Sequence, residues 1–261
     1  MGLDHIEPLK YALTGNSWHG RFRTAMFRAD DPQLIDKYLT AQTFPIEFRI
    51  RHLPKTYATK YVGNAVCPLA IANYVLRRRL IDYLPHSLSM VDLFAGIGGW
   101  LMAFCYYLRF RVRRLITIDI DGRALSVYEQ NARVLCGIND VVMVRRDISK
   151  LGIDEFSEYA RDAELIVMSP PCESVSSANV FNRTCEPAVS LTVKAIQLVK
   201  SVSPRLILYE EAPTRKACRD TLMRILTNEG FTAEYVNMMD YGCLNPRKRL
   251  LAYRVIRHVS P

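Results

Sequence analysis

The hydrophobic pattern of the chain changes near residue 85. Beyond it lie five short, nearly continuous apolar runs, each compatible with a β-strand buried on both faces. Most are separated by segments with helical spacing, such as the one in which Leu125, Tyr128 and Ala132 recur at intervals of three and four residues. The five runs read SMVDLF, RLITIDI, VVMVRRD, ELIVMS and RLILYE.

Alternating strands and helices predict βαβ units, because parallel strands need a long crossover between them. We therefore predict an α/β fold with a mostly parallel central sheet covered by helices on both faces. Ligands of such sheets bind at the carboxyl ends of the strands. The residues that directly follow the apolar runs are thus the first candidates for chemistry.

A glycine-rich segment, Asp92 to Gly99 (DLFAGIGG), follows the first run and precedes a predicted helix over Trp100–Phe110. Its glycines allow a tight turn, and N–H groups at a helix start can receive a carboxylate or phosphate. Asp119 ends the second run, twenty residues after Gly99, where an acid can accept hydrogen bonds from ribose hydroxyls. Loop and acid together favour a nucleoside cofactor.

Three further strand ends carry polar or reactive groups. Asp147 ends the third run, where it suits an adenine amino group, although alone it is better explained as an ordinary helix N-cap. Cys172 follows Pro170 and Pro171 rather than lying on an apolar face, which predicts an accessible thiolate nucleophile. Glu210 ends the fifth run, and a buried or crowded carboxyl can hold a proton near neutral pH. We expect the thiol and the carboxyl at one edge of the sheet.

The composition narrows the class of protein. Lys and Arg number 35 against 26 Asp and Glu, and the net charge of +9 suits a polyanionic partner. The seven cysteines show no CxxC pair, so neither a disulfide framework nor a metal site is expected. No apolar stretch approaches the roughly 18 residues of a membrane span, and the N-terminus lacks the order of a signal peptide, so we expect a soluble, cytoplasmic protein without a membrane partner.

Together these blocks strongly resemble the DNA cytosine-5 methyltransferases. The resemblance implies a Rossmann-like fold that uses S-adenosylmethionine to methylate C5 of a flipped-out cytosine in DNA, with Cys172 attacking C6 and Glu210 acting at N3. Residues 240–249 (DYGCLNPRKR) are similar to the block whose arginines hold the base and a nearby phosphate, which implies that role for Arg247 and Arg249. The departures from the family pattern are Glu173, Glu211 and Asn245, which replace Gln, Asn and Gln.

The resemblance also implies a set of cofactor-binding residues spread over the glycine-rich segment, the later strand ends and a block near the N-terminus. They are Phe94, Ala95, Gly96, Gly98, Gly99, Asp119, Ile120, Asp147, Ile148, Pro170, Leu191, Asn64 and Ala65.

The order of the blocks is unusual. Residues 60–66 (KYVGNAV) resemble the block that family members normally carry at the C-terminus, and residues 38–45 (YLTAQTFP) resemble the block that precedes it. A circular permutation explains this order, because domain termini often lie close together. We expect residues 1–37 to be a minimal target-recognition segment, residues 38–84 to complete the cofactor pocket through a helix over 70–84, and residues 85–261 to be the catalytic domain.

We do not expect these residues to contain the sizeable recognition region of the family, which leaves three hypotheses open. The chain is a complete DNA methyltransferase with a recognition loop containing residues such as Trp18, His19, Arg21 and Arg23, or it performs the same chemistry on RNA. In the third, it is the catalytic half of a two-polypeptide enzyme whose partner subunit carries the recognition domain, or a binding module without efficient turnover. The presence of Cys172 and Glu210 argues against a purely non-catalytic role.

Overall fold

The computed structural model describes residues 31–171, 185–213, 215–244 and 246–256. The strands in this part of the chain are Ser87–Leu93 (β1), Arg111–Asp119 (β2), Asp140–Arg145 (β3), Leu165–Met168 (β4), Leu206–Glu211 (β5), Thr232–Asn237 (β6) and Lys248–Val255 (β7). The α-helices are Leu34–Ala41 (α1), Lys55–Asn64 (α2), Pro68–Arg77 (α3), Gly99–Leu101 (α4), Gly122–Cys136 (α5), Ile153–Ala160 (α6), Glu186–Val199 (α7) and Lys216–Asn228 (α8). Short 3₁₀ turns cover Leu80–Tyr83, Ile148–Lys150 and Met238–Tyr241, and a π-helical turn covers Met102–Tyr107.

The strands form one sheet in the order β3-β2-β1-β4-β5-β7-β6. The first five strands are parallel, whereas β7 runs antiparallel to both β5 and β6. The order reverses between β1 and β4, and such a switch point opens a crevice at the carboxyl ends of the strands. The expected α/β fold, mostly parallel with helices on both faces, is confirmed.

A hydrophobic core lies on each face of the sheet, because alternate residues of a strand point to opposite sides. Leu165 and Val167 of β4 belong to the core that is shared with α3 and α5, whereas Ile166 and Met168 belong to the core that is shared with α6, α7 and α8. Residues of α1 and α2 join the first core. The helices near the N-terminus are therefore packed into the same structure as the sheet.

The five predicted runs are the five parallel strands, but β6 and β7 were not predicted. The side chains of β6 are mostly half-buried, and its sequence TAEYVN has no continuous apolar run. The strand is held instead by its ladder with β7, in which Thr232 pairs with Tyr253 and Asn237 with Lys248. Backbone pairing with β7 therefore stabilises β6, although its sequence has no apolar run that predicts a strand.

Two predicted helices end earlier than expected. The helix predicted over 70–84 stops at Arg77, and Arg79 adopts a left-handed φ of 55° before the 3₁₀ turn. The helix predicted over 100–110 widens into the π-helical turn, in which the N–H of Leu108 donates to the carbonyl of Ala103, and Arg109 then leaves it with a φ of 60°. Wide turns of this kind often occur near functional sites.

A disulfide joins Cys185, just before α7, to Cys218 in α8. No disulfide framework was expected from the sequence, and this single bond corrects that expectation for one pair. Its cysteines are 33 residues apart in the chain, so sequence spacing gave no sign of the pairing. The packing of α7 beside α8 brings them together.

Within the described residues, no helix combines the length and the apolar character that crossing a bilayer requires.

Candidate active site at the carboxyl edge of the sheet

The glycine-rich loop is built around Tyr128 of α5. Gly98 has a φ of +89°, and a Cβ on it would lie 2.8 Å from the Tyr128 ring, so both backbone and space require glycine. The Tyr128 hydroxyl donates to Asp92 Oδ2 at 2.8 Å. Asp92 is fully buried, and burial raises the pKa of its carboxyl well above the ordinary value. Tyr128 thus packs against the loop, and its hydrogen bond to Asp92 holds the ring in place.

Asp119 connects this loop to the turn that follows β2. Its Oδ2 accepts from the N–H of Gly96 at 2.8 Å, and its Oδ1 accepts from the N–H of Asp121 at 2.8 Å. Burial raises the pKa of Asp119 although both hydrogen bonds favour its charged form. Each carboxylate oxygen retains a second lone pair, so Asp119 can still accept hydroxyl hydrogens. The next residue, Ile120, is 64% exposed and offers an apolar surface beside it.

Asp147 lies two residues beyond the end of β3. Its carboxylate accepts from the backbone N–H and the hydroxyl of Ser149, which lowers its pKa, and so caps the 3₁₀ turn that contains the buried Ile148. These contacts match the N-cap interpretation, and the contact with an adenine amino group stays a prediction.

The block near the N-terminus packs directly against the glycine-rich loop. A Cβ on Gly99 would lie 2.7 Å from Val66 Cγ2 and 2.9 Å from the Val66 carbonyl oxygen, so the two backbones approach as closely as glycine allows. Asn64 is exposed at the end of α2, and Ala65 is half-buried. The structure therefore brings residues 64–66 beside the glycine-rich loop, and a contact of Asn64 or Ala65 with a cofactor stays a prediction.

Arg247 holds the same block from the other side. Its guanidinium donates to the carbonyl oxygens of Gly63 at 2.9 Å and Ala65 at 3.2 Å. Burial lowers its pKa to about 10, so the group stays cationic at neutral pH. The resemblance gave Arg247 a role in holding base and phosphate, whereas these two contacts anchor the turn after α2.

Glu210 lies at the carboxyl end of β5 and is 8% exposed. Arg249 Nε lies 2.7 Å from its Oε1, and both side chains are largely buried. The neighbouring strand β4 is in register, with Met168 opposite Tyr209, and leads into the half-buried Ser169 and the buried Pro170. The structure therefore brings Glu210, Arg249 and Pro170 to one edge of the sheet.

Leu191 lies half-buried on α7, next to Thr192, whose hydroxyl lies 3.0 Å from the Tyr209 hydroxyl. Phe94 has a left-handed φ of 60°, and both its N–H and that of Ala95 donate to the carbonyl of Ile118. The glycine-rich loop is thus bonded to β2, and α7 is bonded to β5, near the ends of the central strands. Their direct contacts with a cofactor stay predictions.

Glu211 is a feature that the sequence pattern did not reveal. It is 1% exposed, its Oε1 accepts from the N–H of Ala212 at 3.0 Å, and its buried Oε2 has no hydrogen-bond partner among the described residues. Burial raises its pKa to about 8. Adjacent residues of a strand face opposite sides of the sheet, so Glu211 faces away from Glu210. In the sequence, only the replacement of the family's Asn by Glu at this position indicated that residue 211 is unusual.

A cavity of about 510 Å³ opens beside Ile120 and was also not foreseen. It lies between α2 and the turn that begins α5, where the Tyr61 hydroxyl donates to Asp121 Oδ2 at 2.7 Å. The Arg123 guanidinium lies over the Tyr57 ring at 4.0 Å. Its lining residues are Tyr57, Tyr61, Ile120, Asp121, Gly122, Arg123 and Arg145.

Several predicted residues lie outside the described part of the chain. They are Cys172, Glu173, Asn245, Trp18, His19, Arg21 and Arg23.

A family model for "C-5 cytosine-specific DNA methylase" matches residues 88–255. The chain belongs to the C-5 cytosine-specific DNA methylase family. This match begins after the block at residues 60–66, so the block stands outside it.

Two curated relatives are type II methyltransferases. M1.HphI of Haemophilus parahaemolyticus is 23% identical over 191 residues, which cover 68% of this chain and 49% of the relative. M.HgiCII of Herpetosiphon aurantiacus is 26% identical over 167 residues, which cover 61% of this chain and 35% of the relative. The chain therefore spans half or less of the length of these relatives.

Among solved structures, the METTL16 methyltransferase domain superposes with a TM-score of 0.54 at 14% identity, covering 87% of this chain and 81% of that domain. The likeness supports the fold.

S-adenosylmethionine is the cofactor that this family uses, and the residues at the sheet edge fit it. A Cβ placed on Gly96 would meet no atom within 4 Å, so the space next to the loop is open. Asp119 is half-buried with free lone pairs, and the exposed Ile120 follows it. An acid for ribose hydroxyls and an apolar surface for adenine match the chemistry of the molecule.

Proposed function

We propose that the chain methylates C5 of cytosine in DNA, with Cys172 as the nucleophile and Glu210 as the acid. The observation that carries the proposal is the buried Glu210–Arg249 pair at the strand end beside Pro170. Cys172 follows Pro171 directly in the chain. A fixed carboxyl beside a Pro-Pro-Cys segment, within a cytosine methylase domain, matches the two groups that the reaction needs.

Cytosine is a poor nucleophile at C5, and Cys172 and Glu210 would increase the electron density at this carbon. The Cys172 thiolate forms a bond to C6 while Glu210 donates a proton or hydrogen bond to N3, which places electron density on C5. S-adenosylmethionine supplies the methyl group as an electrophile. Loss of the C5 proton then expels the thiolate and restores the ring. A base paired inside a duplex cannot reach these groups, so it must leave the helix at a cost of a few kcal/mol.

Arg249 would keep Glu210 correctly oriented. The positive charge of Arg249 would also attract the phosphate groups of the DNA strand. We assign Arg247 to positioning rather than to base contact, because its donors already bind Gly63 and Ala65. Asp119, Ile120, Asp147, Leu191 and the glycine-rich loop would bind the cofactor.

We also propose that residues 38–84 are the permuted blocks of the family and complete the cofactor pocket. The closeness of Val66 to Gly99 and the hold of Arg247 on residues 63–65 support this arrangement. Target recognition would then come from residues 1–37 or from a partner subunit.

The decisive experiment incubates the purified chain with methyl-labelled S-adenosylmethionine and unmodified DNA or RNA, followed by digestion to nucleosides. We expect label in 5-methylcytosine from DNA. Label from RNA alone would replace the DNA substrate with RNA, and label from neither would contradict unaided activity and require a recognition partner to be added.

Cys172→Ser should abolish turnover and leave cofactor affinity within about twofold, whereas Cys105→Ser, which changes a half-buried thiol elsewhere, should retain activity. A duplex containing 5-fluorocytosine should trap a covalent adduct with the unaltered chain, because C5 then has no proton to lose. Full turnover by Cys172→Ser would overturn the mechanism.

A further inference from the structure

A chain of hydrogen bonds runs from the glycine-rich loop to α2. The N–H of Gly96 donates to Asp119, the N–H of Asp121 donates to the other oxygen of Asp119, and the Tyr61 hydroxyl donates to the Asp121 carboxylate. The three bonds are 2.8, 2.8 and 2.7 Å long. Tyr61 is therefore connected to the carboxylate of Asp119 through one residue.

The Asp121 carboxylate accepts three hydrogen bonds. Its Oδ1 accepts from the N–H groups of Arg123 and Ala124 at 2.9 and 3.3 Å and so caps α5, while its Oδ2 accepts from Tyr61. Burial opposes ionisation of this carboxyl, but the bonds from Tyr61 and from the helix N–H groups outweigh it and lower its pKa. Burial and Asp121 together raise the pKa of Tyr61 to about 12, so the hydroxyl remains a donor at all physiological pH values.

A second contact joins the same two elements. The Arg123 guanidinium lies over the Tyr57 ring, and Tyr57 is one turn before Tyr61 on α2. The opposite end of α2 is held by Arg247 through the carbonyls of Gly63 and Ala65. Helix α2 is thus held by Arg123 near its beginning and by Arg247 at its end, and the turn 119–122 is held against it by the bond from Tyr61 to Asp121.

We propose that Tyr61 is a positioning residue for the adenosyl end of the cofactor, acting through Asp121 on the orientation of Asp119 and Ile120. This inference rests on the proposed cofactor site. Ile120 belongs to the same turn and is 64% exposed towards the cavity that Tyr61 lines. A turn that moves by even a fraction of an ångström would misplace both the ribose acid and the apolar surface. Tyr61 itself need not contact the cofactor.

The first test measures the affinity for S-adenosylmethionine and S-adenosylhomocysteine by isothermal titration calorimetry. Tyr61→Phe should raise the Kd for both ligands by roughly three- to tenfold, which lies within the net contribution of one typical hydrogen bond. With saturating cofactor, kcat should remain within twofold while KM for the cofactor rises. Tyr83→Phe removes a hydroxyl from a 40% exposed side chain in another turn and should change neither quantity.

The second test asks whether Tyr61 acts through Asp119. In an Asp119→Ala background, Tyr61→Phe should change the Kd by less than twofold, because the carboxylate that it positions is gone. Asp121→Asn keeps one oxygen to cap α5 but places an NH2 group opposite the Tyr61 hydroxyl, which then has no acceptor on residue 121, so its Kd should rise as in Tyr61→Phe. The Asn variant also serves as the test if Tyr61→Phe fails to fold.

The possible results distinguish the positioning role of Tyr61 from the proposed cofactor site. No measurable binding of either ligand to the unaltered chain would overturn the proposed cofactor site. Normal binding with an unchanged Kd in Tyr61→Phe would overturn the positioning role alone, and so would equal losses in the presence and absence of Asp119. A parallel fall in kcat would show a general structural effect and also overturn it.

Discussion

At the scale of single residues, two adjacent glutamates have different roles. Glu210 is paired with Arg249 at the site. Glu211 is buried on the opposite face of β5, and one of its oxygens has no partner in the part of the chain that the structure describes. The sequence pattern indicated Glu210 as the proton-holding carboxyl. In the structure, burial raises the pKa of Glu211 to about 8.

Glu211→Gln tests this difference through stability. The pKa of Glu211 is about 8 in the folded chain, against 4.5 for the ordinary group, so the stability associated with its bound proton is fully present below pH 4.5 and is lost as pH rises through 8. The whole effect is on the order of 3 to 5 kcal/mol. Gln cannot ionise, so the free energy of unfolding of the variant, relative to the unaltered chain, should increase between pH 5 and pH 8.

Urea denaturation at several pH values measures this change. Glu158→Gln, on an exposed position of α6, should give a difference that does not vary with pH. A constant difference for Glu211→Gln as well would show that Glu211 is already ionised at pH 5.

At the scale of elements, the segment after α2 packs closely against the start of α4, at the end of the glycine-rich loop. Gly99 is tightly placed because Val66 lies against it from a segment 33 residues earlier in the chain. Arg247, the residue directly before β7, holds that segment through the carbonyl oxygens of Gly63 and Ala65. Three distant parts of the chain therefore meet at one loop, and each contact involves backbone atoms that side-chain patterns do not reveal.

Gly99→Ala should push the segment at Val66 away from the loop. The new Cβ would lie 2.9 Å from a backbone oxygen that cannot rotate aside, so we expect a loss of about 1 to 3 kcal/mol in the free energy of unfolding and weaker cofactor binding. Gly63→Ala is the matched control, because its Cβ would meet only Tyr38 at 3.8 Å and alanine favours a helix. Chemical denaturation and titration calorimetry measure both effects, and equal behaviour of the two variants would contradict the close approach.

At the scale of the whole molecule, the net charge of +9 accompanies a sheet with Arg247 and Arg249 at the edge where the parallel strands end. Charge alone does not select a nucleic acid, since single basic runs are usually solvated surface. Combined with a cytosine methylase domain, the charge favours binding through phosphate groups.

Binding of the Cys172→Ser variant to a fluorescent cytosine-containing duplex should therefore depend strongly on salt. Because phosphate contacts release counterions, we expect the Kd to rise at least about tenfold between 50 and 200 mM salt. Fluorescence anisotropy measures this dependence, with S-adenosylhomocysteine present throughout. An affinity that does not change with salt would contradict a phosphate-based interface.

The sequence by itself determined the parallel half of the fold and the places where chemistry is expected. Strands buried on both faces must be continuously apolar, so β1 to β5 were visible as runs, and ligand-binding residues follow such strands. For this reason the positions of Asp119 and Glu210 at strand ends could be predicted from the sequence alone. The blocks around them also indicated the family that the match over residues 88–255 confirms.

Only the tertiary structure decided the features that depend on contacts between distant segments. The strands β6 and β7, the disulfide between Cys185 and Cys218, the hold of Arg247 on the turn after α2 and the bond from Tyr61 to Asp121 all have this origin. Hydrophobic periodicity records which residues are buried, but it does not record which partner buries them. Pairing partners are set when the whole chain packs, and for that reason the local sequence did not reveal them.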